Sequence, residues 1–210
     1  MADAAVIRVL VADDHAVVRA GVRGMLSLSP RISVVAEAAT GPEAVELFHR
    51  HRPDVTILDL RMPGMTGVDV MKKIRAESPG ARFVALSNCD GEEDVYHAVE
   101  AGAQAYHFKT VAADDLIATV EAVYAGEKRF DEAVSARLGA RLATPSLSAR
   151  ELEVLQLMAA GAGTKGIAAA LGIAHNTVKV HVRNVLAKLH ADNRSHAVAT
   201  ALQRGLVRLD

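Results

Sequence analysis

The run Val55-Thr56-Ile57-Leu58 has no alternation of apolar and polar residues, and it stops on a carboxylate, Asp59. A β-branched apolar stretch of this length reads as a strand buried on both faces, as a parallel sheet covered by helices on either side requires. The continuation into Met62-Pro63-Gly64 cannot prolong strand or helix. Proline lacks an amide hydrogen and fixes φ, while glycine admits backbone conformations that other residues avoid. Asp59 is thereby delivered to the carboxyl edge of a sheet, where open α/β folds place ligands and chemistry. On these ten residues alone, an ordinary strand-end turn residue is an equally good reading.

The same unit recurs through the first 125 residues. Strands are expected over 6–12, 32–36, 53–59, 83–86 and 104–108, and helices over 16–28, 41–50, 66–77, 92–100 and 113–124. In the first helix Val17, Val18, Val22, Met25 and Leu26 fall on one side. Five strand–helix units in regular alternation imply a parallel sheet with helices on both faces and right-handed crossovers.

The strand ends then carry the argument. The first ends on Asp13-Asp14-His15, the third on Asp59, the fourth on Ser87 and the fifth on Lys109. Five polar groups, Asp13, Asp14, Asp59, Ser87 and Lys109, converge on one edge. Three carboxylates held close raise each other's pKa unless a cation neutralises them. A hard, oxygen-liganded Mg²⁺ is the natural partner. An ionised aspartate beside such a metal can attack a phosphoryl group and form an aspartyl phosphate. A lysine and a hydroxyl would hold the remaining phosphoryl oxygens, since this chemistry depends on positioning and charge neutralisation.

These residues resemble the receiver domain of a bacterial two-component response regulator. The matching motifs are Asp13-Asp14-His15, Asp59-Leu60-Arg61-Met62-Pro63-Gly64 with Gly67, Ser87, and the run from Gly102 to Lys109. The resemblance implies a flavodoxin-like (βα)5 doubly wound sheet over residues 1–125, with Asp59 as phosphoacceptor. It places Asp13, Asp14, Asp59 and the Arg61 backbone carbonyl around Mg²⁺, with Ser87 as switch hydroxyl, Tyr106 as switch aromatic and Lys109 as phosphate partner. Phosphate would draw Ser87 inward and let Tyr106 turn inward after it. A receiver catalyses its own phosphorylation and dephosphorylation, but its output is regulatory, so no classical enzyme is expected.

Charge divides the chain in the same way. The net charge of −1 conceals 12 Lys/Arg against 18 Asp/Glu in residues 1–125, and 8 against 4 in residues 146–210. An acidic front and a basic back predict two domains with different partners. Residues 126–145 read as a linker, with a helix over 131–142 carrying Val134, Leu138 and Leu142.

Residues 146–210 are helical by pattern and predict a small all-α domain. Ser148 and Glu151 form a capping box ahead of Leu152, Val154, Leu155 and Met158. Gly161-Ala162-Gly163 stops that helix, and Thr164 is placed to cap a short one with Ile167, Ala168 and Leu171 inward. A turn at Gly172-Ile173-Ala174 leads into a longer helix over 175–189, which makes a helix-turn-helix. Val178, Val182, Val185, Leu186 and Leu189 share the core side of that helix, while Asn176, Val180, Arg183 and Ala187 lie opposite, with Lys179 at the edge. The slim face with Lys179 and Arg183 suits a major groove, and Lys165, Thr177 and Lys188 are placed to meet phosphates. On charge alone, an ordinary solvated helix face is the stronger reading.

The order of motifs from Leu147-Ser148-x-Arg150-Glu151 through Gly161, Ile167-Ala168, Thr177-Val178-Lys179-x-His181 and Lys188-Leu189 to Arg194 resembles the LuxR-type helix-turn-helix. With the receiver, this is the layout of the NarL/FixJ subfamily. The resemblance assigns base contacts to Lys179, Val180 and Arg183. It implies a sensor histidine kinase and double-stranded promoter half-sites as partners, a homodimer in the active state, and RNA polymerase as a further candidate. A C-terminal helix over 194–204 offers an apolar face for pairing DNA-binding domains.

Other classes fit less well. An aspartyl-phosphate hydrolase of haloacid-dehalogenase type needs an Asp-x-Asp motif on the first strand, which Asp13-Asp14-His15 does not supply. A phosphorylation-independent transcription factor would not need all five strand-end groups. Aromatics are 3% of the chain, with no Trp, which disfavours base stacking as a binding mode. The single cysteine, Cys89, excludes a disulfide framework and is expected at the surface, and the histidines have no zinc-ligand spacing and read as surface or packing residues. No signal-peptide layout or spanning apolar run is evident, so a cytoplasmic protein with no membrane partner is expected.

Overall fold

In the computed structural model, residues 5–88, 91–143 and 145–207 are described, and Cys89 lies outside them. They form two compact units, divided between Ala136 and Arg137, with residues 91–93 grouped with the second.

The first unit alternates β1 (Ile7–Ala12), α1 (Ala16–Leu26), β2 (Ile32–Ala38), α2 (Gly41–His51), β3 (Val55–Asp59), α3 (Gly67–Glu77), β4 (Phe83–Ser87), α4 (Glu92–Glu100), β5 (Ala105–Phe108) and α5 (Ala113–Tyr124). Pairing is parallel throughout, in the order β2-β1-β3-β4-β5-β6, where β6 is Arg129–Phe130. Every residue of β3 and β4 is buried, which is why those strands carry no polar alternation. Val22 and Leu26 of α1 and Leu116, Val120 and Val123 of α5 pack on one face of the sheet against Val9, Val11, Ile57 and Val84. The order reverses between β1 and β3, so their carboxyl ends flank a topological switch point.

Two expectations for this unit need correction. Val17 is 84% exposed, because it faces away from the α1 stripe formed by Val22 and Leu26. Residues 129–130, expected within the linker, extend the sheet instead: Arg129 pairs with Ala105 and Phe130 with Tyr106. Asp131 follows, and its Oδ1 accepts the Val134 N–H at 2.7 Å to open α6 (Glu132–Ala143).

The second unit contains α7 (Ala149–Ala159), α8 (Thr164–Leu171), α9 (His175–Lys188) and α10 (Arg194–Arg204) around Val154, Leu155, Met158, Ile167, Val178, Val185, Leu189, Ala197 and Ala201. The Ser148–Glu151 capping box forms in both directions. Thr164 does not cap α8. Gly163 is the N-cap residue and its carbonyl accepts the Ile167 N–H, which leaves Thr164 as the first helical residue. Gly172 closes α8 in the left-handed region at φ +64°, where a side chain would be strained.

Among the described residues, no helix is long and apolar enough to cross a membrane.

Candidate functional site

Asp13 sits just past β1, Asp59 ends β3, Ser87 ends β4 and Lys109 follows β5. The parallel register brings these strand ends side by side. Asp13 and Asp59 are nearly fully buried, Ser87 is fully buried and Asp14 lies at the mouth, partly exposed.

Lys109 Nζ lies 2.7 Å from Asp13 Oδ2 and donates to Asp59 Oδ2 at 2.8 Å. The other Asp59 oxygen, Oδ1, accepts the Arg61 N–H at 3.1 Å, a bond made available by the turn after β3. Burial raises the Asp59 pKa above its ordinary value, opposed by Lys109 and by the Arg61 amide. Burial also disfavours the charge on Lys109, but its bonds to Asp13 and Asp59 outweigh that and raise its pKa. The lysine is therefore a fixed internal cation.

The loop that follows Asp59 is held by close packing. The Gly67 N–H donates to the Leu60 carbonyl at 3.1 Å, and a Cβ at Gly67 would fall 2.1 Å from the Asp59 carbonyl oxygen. Only glycine lets α3 start so near the strand end. The Arg61 side chain reaches Asp94 on α4 at 3.4 Å.

One oxygen each from Asp13, Asp14 and Asp59, together with a His15 ring nitrogen, lie within 4.8 Å of one another. This acidic pocket could hold a metal ion. Sequence reasoning missed His15, whose one available signal was its position directly after the aspartate pair. Its N–H donates to Asp13 Oδ1 at 2.9 Å, and its Nδ1 lies 2.7 Å from Asp14 Oδ1.

Tyr106 is fully buried and meets Phe108 edge-on, with ring centroids 5.8 Å apart. An inward turn from an exposed position is therefore not the change this structure begins from. His107, expected with the other histidines to be a surface or packing residue, is a packing residue: it is buried, its Nε2 is hydrogen-bonded to Thr119 Oγ1 at 2.7 Å, and burial lowers its pKa.

In the second unit, α9 buries Val178 and Val185 and exposes Asn176, Thr177, Lys179, Val180, Arg183 and Ala187, while Lys165 on α8 is also exposed. Lys188 stands apart from these. Its Nζ donates to Glu151 Oε2 at 2.7 Å and to the Ser146 carbonyl at 3.1 Å. Expected as a phosphate contact, it is instead held by a buried carboxylate that needs a counter-charge. Burial alone would raise the Glu151 pKa, but Lys188 and the Ser148 cap bring it down to about 2. Two arginines likewise bond backbone carbonyls: Arg150 donates to the Leu171 carbonyl at the end of α8 at 2.8 Å, and Arg194 to the Ala162 carbonyl in the α7–α8 turn at 2.5 Å.

Residues 9–121 match the response regulator receiver domain, and residues 145–201 match the bacterial regulatory proteins of the luxR family. The chain belongs to the NarL/FixJ subfamily of two-component response regulators. It is 38% identical over 198 residues to the nitrate/nitrite response regulator protein NarL of Escherichia coli K12, covering 90% of this chain and 92% of NarL. It is 36% identical over 207 residues to the response regulator protein VraR of Staphylococcus epidermidis, covering 96% and 99% of the two chains. Among solved structures, the two-component response regulator RcsB in complex with DNA matches with a TM-score of 0.70 at 25% identity, over 94% of this chain and 98% of that one. The chain is thus a DNA-binding response regulator with a flavodoxin-like receiver.

Proposed function

We propose that this response regulator is switched by transfer of a phosphoryl group from a sensor histidine kinase to Asp59, and that the modification controls dimerisation and promoter binding. The phosphoacceptor domain is built on residues 1–125, with the strand at 129–130 added to its sheet, and the DNA-reading domain on residues 146–210. The observation that carries this reading is the buried Asp59 carboxylate, with Lys109 Nζ bridging it to Asp13 at 2.8 and 2.7 Å. A fixed cation beside a buried, ionisable nucleophile is what phosphoryl transfer needs, because its catalysis is positioning and charge neutralisation.

In the transfer, an Asp59 carboxylate oxygen attacks phosphorus. The P–N bond of the donor phosphohistidine breaks, its electron pair stays on the imidazole, and the imidazole takes up a proton. Lys109 then moves from pairing two carboxylates to holding a phosphoryl oxygen, and the Ser87 hydroxyl is placed at the neighbouring strand end to hold another. The carboxylate oxygens of Asp13, Asp14 and Asp59 are hard donors that fit Mg²⁺, and the Arg61 backbone carbonyl is the further oxygen that would complete the protein's share of the ligands. Mg²⁺ would neutralise charge on the phosphoryl oxygens. Self-phosphorylation from small donors and slow self-dephosphorylation belong to the same site. Tyr106, paired through the backbone with Phe130, is the residue through which β5 would report the change.

At the output end, Lys179, Val180 and Arg183 of α9 read base edges, and Lys165 and Thr177 contact phosphates. Two protomers would present two α9 helices to half-sites about one helical turn apart. RNA polymerase at the promoter is the onward partner, and the cytoplasm is where kinase and DNA both meet the protein.

Incubating the protein with Mg²⁺ and acetyl phosphate should add one acid-stable, base-labile phosphoryl group. Asp59→Asn should abolish it, and Asp14→Ala should weaken its Mg²⁺ dependence. Wild-type incorporation by Asp59→Asn would overturn the assignment.

A further inference from the structure

We infer that His15 is an additional ligand of the acidic pocket, and that it gives the pocket a preference for borderline first-row divalent ions over Mg²⁺. The inference rests on the metal-pocket reading of Asp13, Asp14 and Asp59 and deepens it. His15 is the N-cap residue of α1, in extended conformation, and its side chain makes no cap bond. Nothing in the helix start therefore requires an imidazole. The backbone N–H of His15 instead binds Asp13 Oδ1 at 2.9 Å, which fixes the residue against the carboxylates. Its Nδ1 then lies 2.7 Å from Asp14 Oδ1 and 3.4 Å from Asp13 Oδ1.

The pocket has two ends of different character. At the inner end, Lys109 occupies Oδ2 of both Asp13 and Asp59. At the mouth, where Asp14 is partly exposed, the nearby nitrogen is the imidazole of a residue whose side chain is 67% exposed. A neutral imidazole is a good ligand for first-row transition metals and a poor one for Mg²⁺, which favours oxygen and keeps its waters. An ion held by the Asp14 carboxylate would have the His15 Nδ1 within reach as a further donor, the two atoms lying 2.7 Å apart. Rotating an exposed side chain requires no repacking.

The test uses the full chain, titrated calorimetrically with MgCl2 and separately with CoCl2, as wild type, His15→Ala and His15→Asn. Loss of a direct ligand should cost Co²⁺ affinity at least the ~10–100-fold that losing an outer-shell partner costs. Mg²⁺ affinity should change less than about twofold, since no Mg²⁺–nitrogen bond is lost. In the wild type, Co²⁺ should also broaden the His15 ring signals in a ¹H–¹⁵N spectrum, and Asp14→Ala should remove that broadening, which separates this site from the other histidines. Equal losses for both ions, or no change for either, overturns the inference. If Mg²⁺ binds the wild type and Co²⁺ binding is indifferent to residue 15, this inference fails alone. If neither ion binds, the metal pocket itself fails and this inference with it.

Discussion

Replacing Lys188 by methionine separates two roles for a cation at the end of α9. As a phosphate contact it would be dispensable for folding. As the counter-charge of Glu151 it stabilises the second unit, because Glu151 is buried within the capping box that starts α7. The Glu151 carboxyl falls from an ordinary 4.5 to about 2, which corresponds to about 3 kcal/mol of preference for its charged form in the folded state. Lys188 supplies only part of this, since the Ser148 cap also binds the carboxylate and the lysine is partly exposed and screened. Leaving the carboxylate buried with the cap alone should cost ~2 kcal/mol, below the ~3–5 kcal/mol of a fully buried broken pair.

The sign with pH follows from the depressed value. The stabilisation is complete above the unfolded value near 4.5 and is lost as pH falls through about 2. Amide hydrogen exchange across α7 and α9 of the full chain, at pH 7 and at pH 3, should show protection reduced by Lys188→Met at pH 7. The difference between variant and wild type should shrink at pH 3. Binding to nonspecific DNA should keep its salt dependence once the folded fraction is accounted for. Unchanged protection together with a salt slope lower by about one phosphate would refute the reasoning and restore the phosphate contact.

Lys109→Met should destabilise the first unit by ~3–5 kcal/mol, since Asp13 and Asp59 lose their common cation; MgCl2 should raise the variant's melting temperature more than the wild type's, read by differential scanning fluorimetry. Gly67→Ala places a methyl 2.1 Å from the Asp59 carbonyl, so it should cost ~1–3 kcal/mol by overpacking and slow phosphorylation by acetyl phosphate. Lys179→Ala and Arg183→Ala should each cost ~1–3 kcal/mol at a specific operator if each reads a base, and anisotropy titrations that show equal losses on specific and random DNA would sink the groove assignment of α9.

The alternation of strands and helices was legible because each pattern is local. Unalternating Val55–Leu58 can only be buried on both faces, and the strand ends Asp13, Asp59, Ser87 and Lys109 follow from counting along parallel strands. The core face of α9 was legible for the same reason, since Val178 and Val185 obey the helical repeat. Where a side chain's partner comes from another element, the linear chain is silent. Lys188 looked like one more surface cation until α7 brought Glu151 beside it, 37 residues away in sequence. Two β residues at Arg129–Phe130 are too short to show a period, and the β5 edge is what makes them a strand. Val17 was grouped with the apolar side of α1, but at 100° per residue it lies opposite Leu26, and it is left in solvent.

The sequence by itself determined the two domain types, the sheet, the helix-turn-helix and the identity of the strand-end groups, because short-range periodicity and chain direction are enough for these. Tertiary structure alone decided which charges are paired. Lys109 between two carboxylates, Glu151 beneath Lys188, His107 on Thr119 and His15 at the mouth of the acidic pocket all depend on distances of a few ångströms between separate elements or across a tight turn. Electrostatic and hydrogen-bonding energies vary over that scale, and residue spacing along the chain does not encode it.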